Sequence, residues 1–176
     1  MRLFVALAPP DHVVASVEDA LGPARSRQPD LRWIPSERWY LTLAFYGEIP
    51  DSSVTGVLAK VERRLSGHPL GGPIELFFAG AGQFARRALW VGVAGEVDRL
   101  RAVAKAVNTD RRPYRPHLTV ARLRGAQDAT GAVEVLSSYV GPRWQADAVH
   151  LVRSFLGPAP RYETIASWAL TGVPEG

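Results

Sequence analysis

The chain contains no cysteine, a single methionine and two lysines, Lys60 and Lys105. The absence of cysteine excludes disulfide bonds, zinc–thiolate centres and thiol nucleophiles. No apolar run approaches the roughly 18 residues that a membrane-spanning helix needs. The apolar run from Leu3 to Ala8 is also shorter than the core of a secretory signal. We therefore expect a cytoplasmic protein that does not enter a membrane.

Arginine is abundant where lysine is scarce: it supplies 19 of the 21 basic residues, and the formal net charge is +4. The planar guanidinium group matches two phosphate oxygens at once. However, a GC-rich coding sequence also produces a chain rich in arginine, alanine, glycine and proline. The charge therefore leaves phosphate recognition open. A length of 176 residues, of which 47% are hydrophobic, indicates one globular domain or two small lobes.

Two short stretches of the sequence resemble each other. Residues 38–47 read RWYLTLAFYG, and residues 115–125 read RPHLTVARLRG. Both contain an arginine, then a ring-bearing residue two positions later, then Leu-Thr, an aliphatic residue and alanine. The copies lie 77 positions apart, from Tyr40 to His117. This repeat predicts two similar lobes that meet around a shared cleft.

Hydrophobic periodicity predicts alternating strands and helices. The predicted strands are 2–7, 40–46, 74–79, 88–93, 117–123, 148–155 and 162–170. The predicted helices begin at Asp11, at Asp51 or Ser52, near Val97 and at Asp128, the last of them ending at Tyr139. Gly22-Pro23 is expected to weaken the end of the first helix, residues 67–73 to form a loop, and Gly80-x-Gly82 to form a turn.

The pairs His117/Thr119 and Tyr40/Thr42 would each project to one face of a strand, because alternate strand residues share a face. Facing one another, they would surround a small cavity suited to a tetrahedral phosphate. The threonine hydroxyls could donate to its oxygens, while one ring removes a proton and the opposite group supplies one. A histidine with its usual pKa of about 6.5 suits either role near neutral pH.

These motifs resemble the two-histidine phosphoesterases, and within them the RNA 2′,3′-cyclic phosphodiesterases, historically called 2′-5′ RNA ligases. The resemblance runs nearly from end to end, through MRLFVAL, LTLAFYGE, RPHLTVAR and LVRSFLGPAPRYE. It implies an α+β fold in which two similar β/α lobes with antiparallel sheets enclose a central groove, as a single bilobal domain over residues 1–176. It also implies opening of a 2′,3′-cyclic phosphate to a 2′-phosphate without a metal or cofactor. The implied substrates are RNA ends or small cyclic nucleotides, and the implied state is a monomer.

The resemblance also implies roles for individual residues. His117 would accept a proton, Thr42 and Thr119 would bind the phosphate, and Arg122 would assist. Strict strand alternation places Arg122 on the face opposite His117, so a bulge or the strand end has to redirect it.

The sequence departs from the family at Tyr40, where the family has its proton-donating histidine. A tyrosine hydroxyl, with a usual pKa of about 10, can donate a proton but is a poor base. Loss of a well-matched acid typically lowers the rate by about 10²–10⁴-fold, so we expect weakened hydrolysis and little ligation. Alternatively, Tyr40 merely fills a half-buried strand position, and the chain binds RNA ends or a phosphate ligand without turnover. A third interpretation is a purely structural partner protein.

Other residues have both a functional and a structural interpretation. His12, His68 and His150 are expected to be solvated or structural, although His150 could approach the groove and replace the missing acid. The pairs Arg86-Arg87 and Arg111-Arg112 could steer an RNA backbone or belong to solvated loops. Four aromatic residues could stack bases or pack as core: Trp33, Trp39, Tyr46 and Tyr114.

Overall fold

The computed structural model describes residues 1–67, 71–85 and 87–171. The strands are β1 (Arg2–Leu7), β2 (Arg32–Trp33), β3 (Leu41–Glu48), β4 (Ile74–Phe84), β5 (Ala88–Gly95), β6 (His117–Arg122), β7 (Trp144–Ala146), β8 (Ala148–Phe155) and β9 (Arg161–Ala169). The helices are α1 (Asp11–Arg27), α2 (Val54–Ser66), α3 (Val97–Val107) and α4 (Thr130–Leu136). His68 and Arg86, which the sequence analysis considered, lie outside the described residues.

The strands form two antiparallel sheets. The first sheet has the order β3-β1-β8-β9, and the second has the order β2-β6-β5-β4-β7. Each motif strand therefore pairs with a central strand, β3 with β1 and β6 with β5. The predicted α+β architecture of two similar antiparallel halves is confirmed. None of the described helices is long and apolar enough to cross a membrane.

Strand β1 separates the main hydrophobic core from the groove. Leu3, Val5 and Leu7 point to one face and join the main core. Phe4 and Ala6 point to the other face, as strand alternation requires, and form a small cluster with Val152 of β8. This second cluster is the floor on which part of the candidate site is built.

Gly22-Pro23, which was expected to weaken the end of the first helix, lies inside it, and the helix continues to Arg27. Pro23 removes one backbone hydrogen bond from the helix. The apolar face carries the helix past it, because Val17, Leu21 and Ala24 are buried on both sides of the proline. Tertiary packing here outweighs the local helix-breaking signal.

Strand β4 also runs further than predicted, to Phe84, because Gly80 forms a bulge instead of a turn. Phe78 pairs with Val93 and Ala81 with Val91, which leaves one extra residue on β4. Gly80 has a φ of +66°, a conformation that glycine adopts without strain. The strand therefore bends and continues.

Other element boundaries differ by smaller amounts. The first motif strand begins at Leu41, one residue after Tyr40, and extends past Gly47 to Glu48. The last helix is shorter than predicted and spans Thr130–Leu136. Strands β2 and β7 were not predicted, because two and three residues are too few to show a periodic pattern.

Candidate active site

A bulge in β6 places Arg122 beside the other motif residues. Trp90 of β5 pairs with Thr119 and Leu89 pairs with Ala121, so Val120 is the extra residue. Val120 and Ala121 are both buried, and Arg122 returns to the face of Thr119. The redirection that the spacing of the motif requires is therefore present.

The first motif strand has a bulge at the corresponding position. Ala6 of β1 pairs with Thr42 and Val5 pairs with Ala44, which leaves Leu43 as the extra residue. Phe45 then emerges on the face of Thr42 with 61% of its surface exposed. The two halves share a backbone device, but the first half has a phenylalanine where the second half has Arg122.

The motif residues of both sheets meet at a cavity of about 150 Å³. Its lining residues are Phe4, Ile34, Arg38, Tyr40, Thr42, Phe45, His117, Thr119, Arg122 and Tyr162. All five site residues predicted from the sequence are among them. The structure thus brings together two threonine hydroxyls, an imidazole, a phenol and a guanidinium group from two sheets.

A backbone carbonyl group fixes the orientation of the His117 ring. Its Nδ1 lies 2.7 Å from the carbonyl oxygen of Arg115. A carbonyl oxygen can only accept, so Nδ1 donates its proton and Nε2 of the neutral ring keeps a free lone pair. The ring also contacts Phe84 edge-on, with 4.8 Å between ring centroids, which restrains its rotation.

Tyr40 lies in an aromatic cluster at the edge of the same cavity. Its ring centroid is 5.8 Å from that of Phe4 and 5.7 Å from that of Tyr162, both in edge-to-face contact. Among the described residues, neither tyrosine hydroxyl has a hydrogen-bond partner, so both are available to a ligand. Tyr40 is therefore both a packing residue and a cavity residue.

Sequence reasoning assigned no role to two polar lining residues, Arg38 and Tyr162. The repeat offered a signal for Arg38, because it occupies the position that Arg115 has in the second copy. Tyr162 follows the closing GPAPR segment, but only the pairing of β8 with β9 shows that this part of the chain reaches the cavity.

A larger cavity of about 820 Å³ continues from the first and shares Thr42, Phe45, His117, Thr119 and Arg122 with it. Its walls add three arginines and two aromatic residues: Arg87, Arg112, Arg115, Phe84 and Tyr114.

Most of the charged side chains that line the larger cavity are arginines. Asp110 is the one acid among the described lining residues, and Arg112 donates to it over 2.8 and 2.6 Å. These hydrogen bonds lower the pKa of Asp110 from its usual value. Because Arg112 offsets this carboxylate, the groove keeps an excess of positive charge.

Side chains from the second half hold the backbone of the first motif strand. The Tyr114 hydroxyl donates to the Thr42 carbonyl oxygen over 2.7 Å, and the Asn108 amide donates to that of Leu43 over 3.3 Å. Burial raises the pKa of the Tyr114 hydroxyl, which therefore remains a donor. The Tyr46 hydroxyl donates to the Val107 carbonyl oxygen over 2.6 Å. These bonds fix the two half-sites relative to each other.

The remaining aromatic candidates are packing residues. Trp39 is 3% exposed, and its indole donates to the Ile34 carbonyl oxygen, so base stacking is excluded for it. The Trp33 indole donates to the Gln28 carbonyl oxygen and lies beneath the guanidinium of Arg25. Neither indole lines the two cavities.

His150 does not replace the missing acid. It lies on β8 opposite Ala6, which in turn is opposite Thr42, and it lines neither cavity. Its Nδ1 is 2.7 Å from the Ser167 hydroxyl, and burial lowers its pKa. His12 is exposed in the first turn of α1, as expected. Among the described residues, no group of three or more His, Cys, Asp or Glu side chains could hold a metal ion.

Comparison with known proteins gives the same family as the motifs. The sequence profile of the 2′-5′ RNA ligase superfamily matches residues 9–156. The chain is 29% identical to an RNA 2′,3′-cyclic phosphodiesterase from Geobacillus stearothermophilus over 98% of its own length, but spans only 58% of that relative. It is 30% identical to an RNA 2′,3′-cyclic phosphodiesterase from Thermus thermophilus, covering 98% of this chain and 91% of the relative.

The fold also matches a solved structure, that of the protein TT0787 from Thermus thermophilus. The TM-score is 0.72 at 26% sequence identity, and the superposition covers 98% of this chain and 99% of the other. The profile match extends over most of the chain and includes both motif strands. The chain therefore belongs to the 2′-5′ RNA ligase superfamily.

Proposed function

We propose that this chain hydrolyses 2′,3′-cyclic phosphate ends of RNA to 2′-phosphates. The two curated relatives described above are named for RNA 2′,3′-cyclic phosphodiesterase activity. The observation that carries the proposal is the Nδ1 hydrogen bond of His117, which leaves Nε2 free in a cavity lined by Thr42, Thr119 and Arg122. This is the arrangement of a general base beside an anion site.

The proposed reaction begins with the cyclic phosphate between the two threonines. The hydroxyls of Thr42 and Thr119 donate to its nonbridging oxygens, and Arg122 offsets their charge. Nε2 of His117 removes a proton from water as the water oxygen bonds to phosphorus. The bond from phosphorus to O3′ breaks, and O3′ takes the proton of the Tyr40 hydroxyl. The products are a 2′-phosphate and a 3′-hydroxyl; His117 then gives its extra proton to solvent, and the Tyr40 phenolate takes one from solvent.

Tyr40 limits this reaction because a tyrosine is a weaker acid than a protonated histidine. A phenol can donate a proton, but the transfer has a smaller driving force than transfer from an imidazolium. We therefore propose a slow hydrolase. The reverse reaction, ligation, would need the Tyr40 position to act as a base, so little ligation is expected.

The larger cavity favours RNA over a free cyclic nucleotide as the substrate. Arg87, Arg112 and Arg115 line it, and an RNA strand that ends at the small cavity would bring further phosphates to these side chains. The proposal further includes a single bilobal domain over residues 1–176. In this proposal the protein acts as a monomer in the cytoplasm, without a metal ion or cofactor.

An alternative function is binding of RNA ends or of a phosphate ligand without turnover. The observation that favours it is the packing of Tyr40 against Phe4 and Tyr162, since no described residue hydrogen-bonds its hydroxyl to assist proton release. In that case Thr42, Thr119 and the arginines would still bind phosphate.

The test is hydrolysis, in EDTA, of an oligoribonucleotide that ends in a 2′,3′-cyclic phosphate, with products identified by ³¹P NMR. We expect slow formation of the 2′-phosphate, its loss in His117→Ala, and no change in His12→Ala, whose residue is exposed on α1. Absence of turnover in the unmodified protein, together with retained oligonucleotide binding, would establish the binding alternative. Turnover that persists in His117→Ala would remove His117 as the base.

A further inference from the structure

Arg38 projects into the small cavity from a rigid turn. Residues Ser36–Arg38 form a short 3₁₀ turn directly before the first motif strand. The next residue, Trp39, anchors this turn, because its buried indole donates to the Ile34 carbonyl oxygen over 3.0 Å. The backbone at Arg38 is therefore fixed beside the cavity that its side chain lines.

The guanidinium group of Arg38 has no hydrogen-bond or ion-pair partner among residues 1–67, 71–85 and 87–171. Its Nε is buried without a hydrogen bond, and no described carboxylate lies within ion-pair distance of the side chain. Arg112, on the larger cavity, is by contrast paired with Asp110. A buried donor without an acceptor is unfavourable, and it is expected where a ligand supplies the acceptor.

Arg38 also supplies the charge that the first motif strand lacks. The second half contributes Arg122 and His117 to the cavity. At the corresponding positions the first half has Phe45 and Tyr40, neither of which is cationic at neutral pH. Among the described lining residues, Arg38 is thus the cation that the first half contributes, in addition to Arg122 from the second half.

We propose that Arg38 is a phosphate-binding residue that holds the substrate phosphate together with Arg122. The inference rests on the proposed function for the identity of the substrate, a 2′,3′-cyclic phosphate. A guanidinium fork can donate two hydrogen bonds to phosphate oxygens. The negative charge on those oxygens grows as water adds to phosphorus, so Arg38 acts more strongly in the transition state than on the bound substrate.

The first test measures binding without turnover, by calorimetric titration of 2′-AMP. We expect Arg38→Gln to weaken binding by roughly 10–100-fold, as loss of a charged hydrogen bond predicts. Arg38→Lys keeps the positive charge but not the forked guanidinium group. Its affinity for 2′-AMP should therefore lie between those of Arg38→Gln and the unmodified protein. Arg124→Gln is the matched control, because Arg124 is exposed and lines neither cavity; it should bind 2′-AMP as the unmodified protein does.

The second test is rescue of hydrolysis. Added guanidinium ion should restore part of the kcat of Arg38→Ala towards the cyclic-phosphate oligonucleotide and leave Arg124→Gln unaffected. A structural role for Arg38 would show as a lower melting temperature without rescue. If Arg38→Gln fails to fold, Arg38→Lys, which retains the aliphatic stem, provides the same comparison.

Two results would overturn the inference: unchanged 2′-AMP affinity in a folded Arg38→Gln or Arg38→Lys variant, or an equal loss in Arg124→Gln. The binding test also separates this inference from the proposed function. Phosphate binding that depends on Arg38 in a protein without turnover would retain the Arg38 site and reject the hydrolase. Turnover that is unchanged when Arg38 is replaced would retain the hydrolase and reject the Arg38 site.

Discussion

Strands β3 and β6 present the same backbone to the groove with different chemistry. Each has a leucine and a threonine, then an extra residue at a bulge, then a buried alanine. The positions before and after this shared segment differ, with Tyr40 and Phe45 in one copy and His117 and Arg122 in the other. Because buried aliphatic residues and pairing to a central strand set the bulge, the groove-facing positions can change without loss of the geometry.

The comparison also shows an unequal distribution of roles. In the second half, a carbonyl oxygen fixes the His117 tautomer and Phe84 restrains the ring. In the first half, Tyr40 contacts Phe4 and Tyr162 through its ring, and its hydroxyl has no partner among the described residues. The second half thus holds an imidazole in one tautomer, whereas the first half places a phenol on an apolar floor.

The largest expected effect comes from placing a tyrosine at both motif positions, 40 and 117. His117→Tyr removes the base, because a tyrosine hydroxyl does not accept a proton at neutral pH. We expect hydrolysis to fall by about 10²–10⁴-fold. The measurement is kcat on a cyclic-phosphate oligoribonucleotide, with His150→Gln as the histidine control outside the cavities. Comparable turnover in His117→Tyr would show that the two motif positions do not differ in role.

The opposite change, Tyr40→His, places a histidine at both motif positions. Tyr40→His should raise kcat roughly tenfold or more, because a better-matched acid lowers the barrier by about 1.4 kcal/mol per tenfold. It should also make the rate fall as the pH rises through the pKa of the new imidazole, because only the protonated ring can donate. Tyr40→Phe keeps the ring packing and removes the proton, so it should lower kcat. An unchanged kcat in Tyr40→Phe would exclude proton donation by Tyr40.

A third test uses the arginines of the larger cavity, which lie mainly on the second half. Arg87→Gln should raise KM several-fold for a cyclic-phosphate oligoribonucleotide and reduce the salt dependence of binding, with no change for a 2′,3′-cyclic mononucleotide. Arg101→Gln is the control, since Arg101 pairs with Asp98 on the exposed face of α3. Equal effects on both substrates would show that the strand does not follow this groove.

The smallest expected effect concerns stability. In the first sheet, Thr42 pairs with Ala6, and Ala6 pairs with His150. In the second sheet, Thr119 pairs with Trp90, and Trp90 pairs with Gly82, so the position that corresponds to His150 is a glycine. Burial lowers the pKa of His150, so the unfolded chain binds its proton more readily than the folded chain. The free energy of unfolding should therefore decrease as the pH falls through about 6.5, the usual value for an unfolded histidine.

His150→Gln should remove this component while keeping a partner for Ser167. Urea unfolding at neutral and mildly acidic pH measures it, with the exposed His12→Gln as the control. The same pH dependence in both variants as in the unmodified protein would assign the acid sensitivity to other groups.

Sequence reasoning reached the motif residues because their spacing is local. The face shared by His117 and Thr119 follows from strand alternation, and the misfit of Arg122 with that alternation predicted either a bulge or the strand end, of which the structure has the bulge. Arg38 and Tyr162 were missed because their approach to the cavity depends on tertiary contacts. The continuation of α1 through Pro23 was missed for a related reason, since helix packing and not local propensity decides it. The family resemblance supplied the rest of the fold.

The strand order has a consequence for how the site forms during synthesis. The second sheet is complete once the chain has been made up to Ala146, the last residue of β7. The first sheet needs β8 and β9, and Tyr162 on β9 completes the aromatic wall around Tyr40. A nascent chain can therefore position His117 before Tyr40. Phe4 and Ala6 of β1, translated long before β8, remain without their partner Val152 until the ribosome has passed β8.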